Sequence, residues 1–167
     1  TTDGRFFGAF WEQGQSQHAS VWDTEFNGRV DLHPEGALSS NIEAMQGDTQ
    51  GGSVGIRDLV WYAALWRGSA ESYVSLHRLF QFRTSRVTAI DGDRQFGIIT
   101  NLSDVSRASM WTGTADSWVS LNPPGATSSL CRAAFEDVQA GSALFGEVLQ
   151  AGLWRGSAES WVSLHPA

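Results

Sequence analysis

The sequence predicts an all-β, propeller-like fold of about four repeats, and three observations support this. A tryptophan-led block recurs four times, with its leading residue at Trp22, Trp66, Trp111 and Trp154. The steps between these tryptophans are 44, 45 and 43 residues, and self-similarity at a fixed period indicates a repeat architecture. Each unit also contains four short strand-like segments separated by turn residues, which is typical of a propeller blade with four antiparallel strands.

The tryptophan block supplies the last two strands of each unit. It reads ALWRGSAESYVSLH at 64–77, SMWTGTADSWVSLN at 109–122 and GLWRGSAESWVSLH at 152–165, with a degenerate copy, SVWDTEFNGRVDLH, at 20–33. The third strand leads into the tryptophan, and the Gly-Ser-Ala-Glu-Ser segment then turns the chain. In YVSLH, Tyr73 and Ser75 share one face while Val74 and Leu76 share the other, so this segment is the fourth strand.

A second repeated block supplies the first two strands. SSNIEAMQGDTQGG at 39–52 aligns without gaps on TSRVTAIDGDRQFG at 84–97 and SSLCRAAFEDVQAG at 128–141. The alternating Ser-x-Ile-x-Ala segment predicts the first strand, and the Gly-Asp-x-Gln segment contains residues that favour turns. The second strand follows, as in the QFGII segment that begins at Gln95. Cys131 aligns with Ile42 and Val87, so it is predicted to be a small buried hydrophobe.

The two blocks differ in number, and this predicts an incomplete repeat. The tryptophan block occurs four times and the Ser-x-Ile-x-Ala strand three times, because residues 1–8 align on 90–97, after that strand. We therefore predict one domain over residues 1–167, with copies at about 1–38, 39–83, 84–127 and 128–167 and the first copy a strand short. A β-trefoil would have three units, and a parallel β-helix a much shorter period.

The missing strand predicts an open sheet edge. A ring closed within one chain would contain one short blade; alternatively, the chain is part of a longer propeller, or strands are completed between chains. Because an unpaired edge attracts another strand, we predict that the termini lie at a sheet edge. That edge would be covered by a partner or capped by Thr1 to Phe7.

Composition excludes several function classes. The formal net charge of -7 argues against nucleic acid or an anionic membrane as the main partner, since both prefer a basic surface. No apolar run approaches the roughly 20 residues that a membrane helix needs, so membrane insertion is not expected. The single cysteine excludes an intrachain disulfide and a multi-cysteine metal site.

The W-x-G-(S/T)-A-x-S-(W/Y)-V-S-L-(H/N)-P pattern, with D-x-Q-x-G upstream, resembles repeats of uncharacterised, often secreted bacterial proteins that look like propellers. The resemblance covers nearly the whole chain. The first copy departs from it, because Arg29 replaces the second aromatic residue and residues 23–27 replace the Gly-Ser-Ala turn. The resemblance implies a propeller fold and an extracellular or cell-envelope location, and it implies no catalytic residues. The Gly-His and Trp-Asp signatures of WD40 repeats do not recur here.

The repeated aromatic residues are the candidate ligand-binding residues. They could line sugar-binding clefts between blades, because an aromatic face stacks on the C–H face of a pyranose while nearby arginines bind its hydroxyls. This set comprises Trp66, Tyr73, Trp111, Trp118, Trp154 and Trp161, with Arg67 and Arg155. The competing interpretation is packing between blades, which the nearly fixed context of the tryptophans favours.

Neither a metal nor a cofactor is expected. His33, His77 and His165 could form a ring of imidazoles, but Asn122 takes the equivalent place in the third copy, and a role as turn caps fits better. The turn aspartates could hold calcium if their loops converged, yet one carboxylate per loop is few for a cation that needs six or more oxygens. These aspartates are Asp48, Asp93 and Asp137.

The sequence points to no catalytic residue. It contains no nucleophile elbow, no GxGxxG segment and no phosphate loop. A repeated residue is a poor candidate for a unique active site, and nothing singles out the non-repeated acids. Examples of these acids are Glu12, Asp58, Asp104 and Glu147.

Three functions remain. The first is a structural or assembly module, a subunit or fragment of a larger propeller or extracellular assembly that joins a homo-oligomer through its open strand edge. The second is a lectin-like, glycan-binding propeller that uses the aromatic residues between its blades. The third, which ranks last, is a glycosidase or lyase, and it requires one non-repeated acidic pocket at the ring centre.

Overall fold

A computed structural model describes residues 5–11, 16–22, 28–57 and 60–166. These residues form four antiparallel sheets that follow one another along the chain. The predicted all-β, propeller-like fold is confirmed, and the sheets do not close into a ring within the described residues. No described helix is both long and apolar enough to span a membrane.

Each sheet is a meander of strands in chain order. The first sheet contains β1 (Phe6–Trp11), β2 (Gln17–Trp22) and β3 (Arg29–Asp31). The second contains β4 (Ser39–Gln46), β5 (Thr49–Arg57), β6 (Val60–Trp66) and β7 (Val74–Ser75). The third contains β8 (Phe82–Asp91), β9 (Arg94–Asn101), β10 (Ser106–Trp111) and β11 (Val119–Ser120). The fourth contains β12 (Ser128–Phe135), β13 (Val138–Phe145), β14 (Val148–Trp154) and β15 (Val162–Ser163).

The first sheet is one strand short among the described residues, as predicted. β1 corresponds to the second strand of the other sheets and pairs with β2. Of the segment predicted to cap the open edge, residues 1–4 lie outside the described part of the chain, and Phe6 and Phe7 begin β1 itself.

The first strand of each complete sheet lies innermost, because β8 contacts both β4 and β12 across the sheets. Each of these strands bulges at the same repeat position. The register shifts lie between Ile42 and Ala44, between Val87 and Ala89, and between Cys131 and Ala133. A bulge adds one residue to a strand and bends it, and the added residues are Glu43, Thr88 and Arg132.

The bulge explains the repeated glycine of the second strand. A Cβ atom on Gly97 would lie 2.0 Å from the carbonyl oxygen of Arg86, well inside van der Waals contact. At Gly52 and Gly141 the corresponding distance, to the carbonyl oxygens of Asn41 and Leu130, is 1.9 Å. The aligned glycines are therefore required by the close approach of two backbones, a reason that their spacing alone did not reveal.

The hydrophobic core lies between consecutive sheets. Three clusters join the first sheet to the second, the second to the third, and the third to the fourth. Each contains one leading tryptophan with an exposed fraction of 0%: Trp66, Trp111 and Trp154. Removing one such indole from water contributes roughly 4–6 kcal/mol of transfer free energy, so the repeated tryptophan is a principal source of cohesion between sheets.

A buried glutamine fixes the turn that follows each of these tryptophans. The Gln95 side chain accepts a hydrogen bond from the Gly113 amide at 2.7 Å and donates one to the Asp93 carbonyl at 2.8 Å. Gly113 has a φ of 79°, a conformation that favours glycine. The Asp-x-Gln pattern therefore ties a hairpin to the turn at the opposite edge of its sheet.

Candidate functional site

The three sheet interfaces share one hydrogen-bonded arrangement, the serine bridge. In the second-to-third interface, Ser85 Oγ accepts from the Ala63 amide at 2.8 Å and lies 2.8 Å from His77 Nδ1. The other two bridges have the same geometry. They consist of Ala19, Ser40 and His33 at 2.9 and 2.9 Å, and of Ala108, Ser129 and Asn122 at 3.0 and 2.8 Å.

Asn122 reveals how the protons are arranged in these bridges. Its amide oxygen can only accept, so Ser129 donates to it, and its Nδ2 group donates to the Ala126 carbonyl at 2.9 Å. His33 makes the corresponding two contacts, through Nδ1 to Ser40 and through Nε2 to the Ala37 carbonyl at 3.1 Å. For His33 to accept from Ser40 and donate to the Ala37 carbonyl in the same way, its imidazole must be neutral, with its proton on Nε2.

Burial favours this neutral form. It lowers the pKa of His77 to about 4, and it also lowers the pKa of His33, where the charge of nearby His18 acts in the same direction. His77 also stacks on Tyr62, with ring centroids 3.8 Å apart. The repeated histidines are thus packing and hydrogen-bonding groups between sheets, except for exposed His165, whose imidazole has no serine partner among the described residues.

The structure places the predicted ligand-binding aromatic residues inside the sheet interfaces. Trp66, Trp111 and Trp154 are fully buried, so these three rings have no face open to a ligand. Their aromatic neighbours lie half-buried against the same clusters; they are Tyr73, Trp118 and Trp161.

The aromatic neighbours are held by ring contacts and, at Trp118, by a hydrogen bond. The ring centroids of Trp154 and Trp161 are 4.5 Å apart, and Trp118 donates from Nε1 to Ser109 Oγ at 3.0 Å. Arg67 and Arg155 are exposed on the turns that follow the buried tryptophans. The fold keeps each aromatic pair within its own interface, so the pairs do not form one shared cleft.

The turn aspartates Asp48 and Asp137 pair with arginines of the preceding sheet. Arg5 Nη2 lies 2.6 Å from Asp48 Oδ1, and Arg94 pairs with Asp137 at the aligned position of the third interface. No group of three or more His, Cys, Asp or Glu side chains suited to a metal ion occurs within the described residues. Among the non-repeated acids, Asp104 pairs with Arg83 and Glu147 is exposed, while Glu12 and Asp58 lie outside the described residues.

Cys131 occupies a fully buried position in the third-to-fourth interface. Burial raises the pKa of its thiol to about 12, so the reactive thiolate is scarce at neutral pH. We expect Ellman's reagent to label Cys131 only on unfolding, at a rate that rises with urea concentration. Rapid, complete labelling of the native protein would show that this interface opens.

A central pocket of about 520 Å³ lies among the innermost strands. Its most distinctive lining residues are Glu43 from the second sheet, Arg86 from the third, Arg132 from the fourth, and the half-buried Trp61. The sequence interpretation missed this site. The signal that could have revealed it is that two aligned positions of the first strand vary between repeats. One position holds Asn41, Arg86 and Leu130, and the other holds Glu43, Thr88 and Arg132.

The pocket is not the acidic site that a glycosidase or lyase was expected to have. Two arginines face one glutamate there, and burial raises the pKa of Glu43 while the charges of Arg86 and Arg132 act to lower it. Of the non-repeated acids considered from the sequence, the two described ones, Asp104 and Glu147, do not line it.

No protein-family model matches this sequence, and no curated protein matches it.

Proposed function

We propose that this chain is a structural assembly module that docks onto a second copy of itself, with its fourth sheet against the first sheet of the other copy. The observation that supports this most strongly concerns one repeated leucine. Leu32, Leu76 and Leu121 are buried in the three internal interfaces, with exposed fractions of 0%, whereas the equivalent Leu164 of the fourth sheet is 57% exposed.

Other residues of the fourth sheet repeat this contrast. Ala151 is exposed where its equivalents Ala19, Ala63 and Ala108 are buried, and Ala133 is exposed where Ala44 and Ala89 are buried. Beside Ala133 lies a groove of about 480 Å³ that Val138 and Ala140 also line. We call Ala133, Ala151 and Leu164, with this groove, the open face of the fourth sheet. Large apolar surfaces of this kind mark interaction sites.

The first sheet presents a matching surface. Trp22 is half-buried, whereas the three other leading tryptophans are fully buried against the preceding sheet. Phe10 is 38% exposed, and the equivalent Ile99 is 1% exposed. One chain therefore bears both halves of the interface that its own sheets use three times.

A head-to-tail contact of this kind uses a different surface on each copy, so it closes into a ring or continues as a filament. Two copies would contribute eight sheets, which is within the range of known propellers. The residues identified on both sides of this joint are apolar, among them Leu164 and Phe10. We therefore expect it to be reversible and concentration-dependent.

Light scattering coupled to size-exclusion chromatography tests the proposal. The wild-type chain is expected to form dimers or larger oligomers at micromolar concentration. Leu164→Asp is expected to be monomeric, because a charge in the buried joint costs several kcal/mol, with an unchanged circular dichroism spectrum. Leu102→Asp is the control, since Leu102 is 66% exposed on the turn between β9 and β10 of the third sheet. A wild-type protein that stays monomeric at the highest soluble concentration would refute the proposal.

A further inference from the structure

We propose that the central pocket binds an acidic saccharide, with Arg86 and Arg132 on its carboxylate and Trp61 against its sugar ring. This inference does not depend on the assembly proposed above. The described residues that line the pocket come from all four sheets of one chain, so the test can be made on a monomer.

Two cations converge on this pocket from different sheets. Arg86 follows Ser85 on β8, Arg132 is the bulge residue of β12, and both side chains line the cavity. Neither guanidinium forms an ion pair or a hydrogen bond with another described residue. Guanidinium groups bind carboxylates through two parallel hydrogen bonds, so an unpaired pair in a concave site favours an anionic ligand.

The charge of the pocket sets the charge of its ligand. Glu43 lies close enough to both arginines for their charges to act on its ionisation. Two guanidinium groups and one carboxylate leave a single excess positive charge, in a protein whose formal net charge is -7. One carboxylate on the ligand would balance this excess, and Glu43 remains as a hydrogen-bond acceptor for ligand hydroxyls.

The remaining lining supports a sugar rather than a bare anion. Among the described residues, Trp61 is the tryptophan that lines the pocket, and the aligned positions in the first and third repeats hold polar Gln17 and Ser106. An indole face packs well on the C–H face of a pyranose, while amide and hydroxyl side chains bind its hydroxyl groups. Asn41 and Thr84 supply such groups here. The volume of about 520 Å³ is within the range of small-molecule sites.

Isothermal titration calorimetry with three probes tests this inference. The probes are a glucuronate-containing disaccharide, its neutral glucose counterpart and sodium sulfate. The acidic disaccharide is expected to bind at least about tenfold more tightly than either of the others, because it alone meets both the arginines and the indole. Equal binding of the neutral sugar would refute the role of the arginines, and equal binding of sulfate would refute the role of Trp61.

Substitutions inside and outside the pocket test where the ligand binds. Arg86→Gln and Arg132→Gln are each expected to weaken binding of the acidic disaccharide by about tenfold or more, since each removes a charged hydrogen bond. Arg67→Gln and Arg155→Gln make the same change of charge on exposed turns outside the pocket and are expected to bind as the wild type does. Trp61→Leu is expected to abolish the fluorescence change on binding. Circular dichroism confirms that each variant is folded.

Three results would overturn the inference. One is that the acidic disaccharide does not bind at millimolar concentration, and another is that the Arg67 and Arg155 variants lose binding while the Arg86 and Arg132 variants keep it. The third is loss of binding in Leu164→Asp, which would place the ligand at the joint between copies. A monomeric wild type that still binds the disaccharide would refute the assembly proposal and leave this one intact.

Discussion

Replacing Gly97 with alanine is expected to destabilise the protein by about 3 kcal/mol or more, because the new methyl group would overlap the Arg86 carbonyl oxygen. The two backbones must then move apart, which breaks the pairing of β8 with β9 at the bulge. A loss of about 3 kcal/mol is a large share of the free energy of unfolding of an ordinary domain. Urea denaturation measures the effect as a fall in midpoint at constant slope.

Gly8 is the matched control for this substitution. It aligns with Gly97, but the first sheet, as far as the structure describes it, has no strand whose carbonyl approaches Gly8 as one approaches the other glycines. A Cβ atom on Gly8 would meet Trp22 Cζ3 at 3.6 Å, an ordinary contact. Gly8→Ala is therefore expected to change the free energy of unfolding by no more than about 0.5 kcal/mol. Equal losses at Gly8 and Gly97 would contradict this explanation of the glycine.

Replacing His77 with alanine is expected to cost about 1–3 kcal/mol, while His77→Asn costs less than about 1 kcal/mol. Alanine leaves the buried Ser85 hydroxyl without its acceptor and removes the ring that stacks on Tyr62. Asparagine keeps an acceptor toward the serine, as Asn122 does in the next interface. Denaturant midpoints at neutral pH compare the two variants.

His165→Ala is the control for His77, because His165 occupies the same repeat position but is exposed. Its removal is expected to leave the stability of the monomeric Leu164→Asp protein unchanged. If His165→Ala were as costly as His77→Ala, the cost would not come from the serine bridge.

The same histidine predicts a dependence of stability on pH. The pKa of His77 is about 4 in the folded protein, against an ordinary value of 6.5, so the unfolded chain binds its proton more readily between these values. Its effect on stability is absent above the ordinary pKa and grows as the pH falls toward 4, where it reaches about 3 kcal/mol of destabilisation. His77→Asn is expected to lose less stability than the wild type over this interval. Identical pH profiles for the two proteins would show that His77 is not the group responsible.

Local periodicity predicted much of this fold, because each residue type in a strand reflects whether that side chain is buried or exposed. Alternation in YVSLH and in Ser-x-Ile-x-Ala follows from the geometry of an extended chain, in which successive side chains point to opposite faces. Counting the two blocks predicted the short first sheet, and aligning Cys131 with Ile42 and Val87 predicted its burial, at 0% exposed.

The roles of the candidate site residues depend on contacts between repeats, which periodicity does not describe. The repeated histidines could be interpreted as turn caps or metal ligands until Ser85 was seen to join His77 to the amide of Ala63 in another strand. The aromatic residues had the right chemistry for sugars, but packing of the sheets placed the leading tryptophans inside the interfaces.

The sequence by itself determined the unit: four strands, their turns, the tryptophan that packs each sheet on its neighbour, and the strand that the first sheet lacks. Only the tertiary structure decided which faces meet and which stay open. Glu43, Arg86 and Arg132 belong to three different repeats, and they share a pocket because β4, β8 and β12 converge. The physical reason is that the alternation of residue types fixes the direction of a side chain relative to its own strand. Which strands of different sheets come close together depends on how the buried tryptophans pack one sheet on the next.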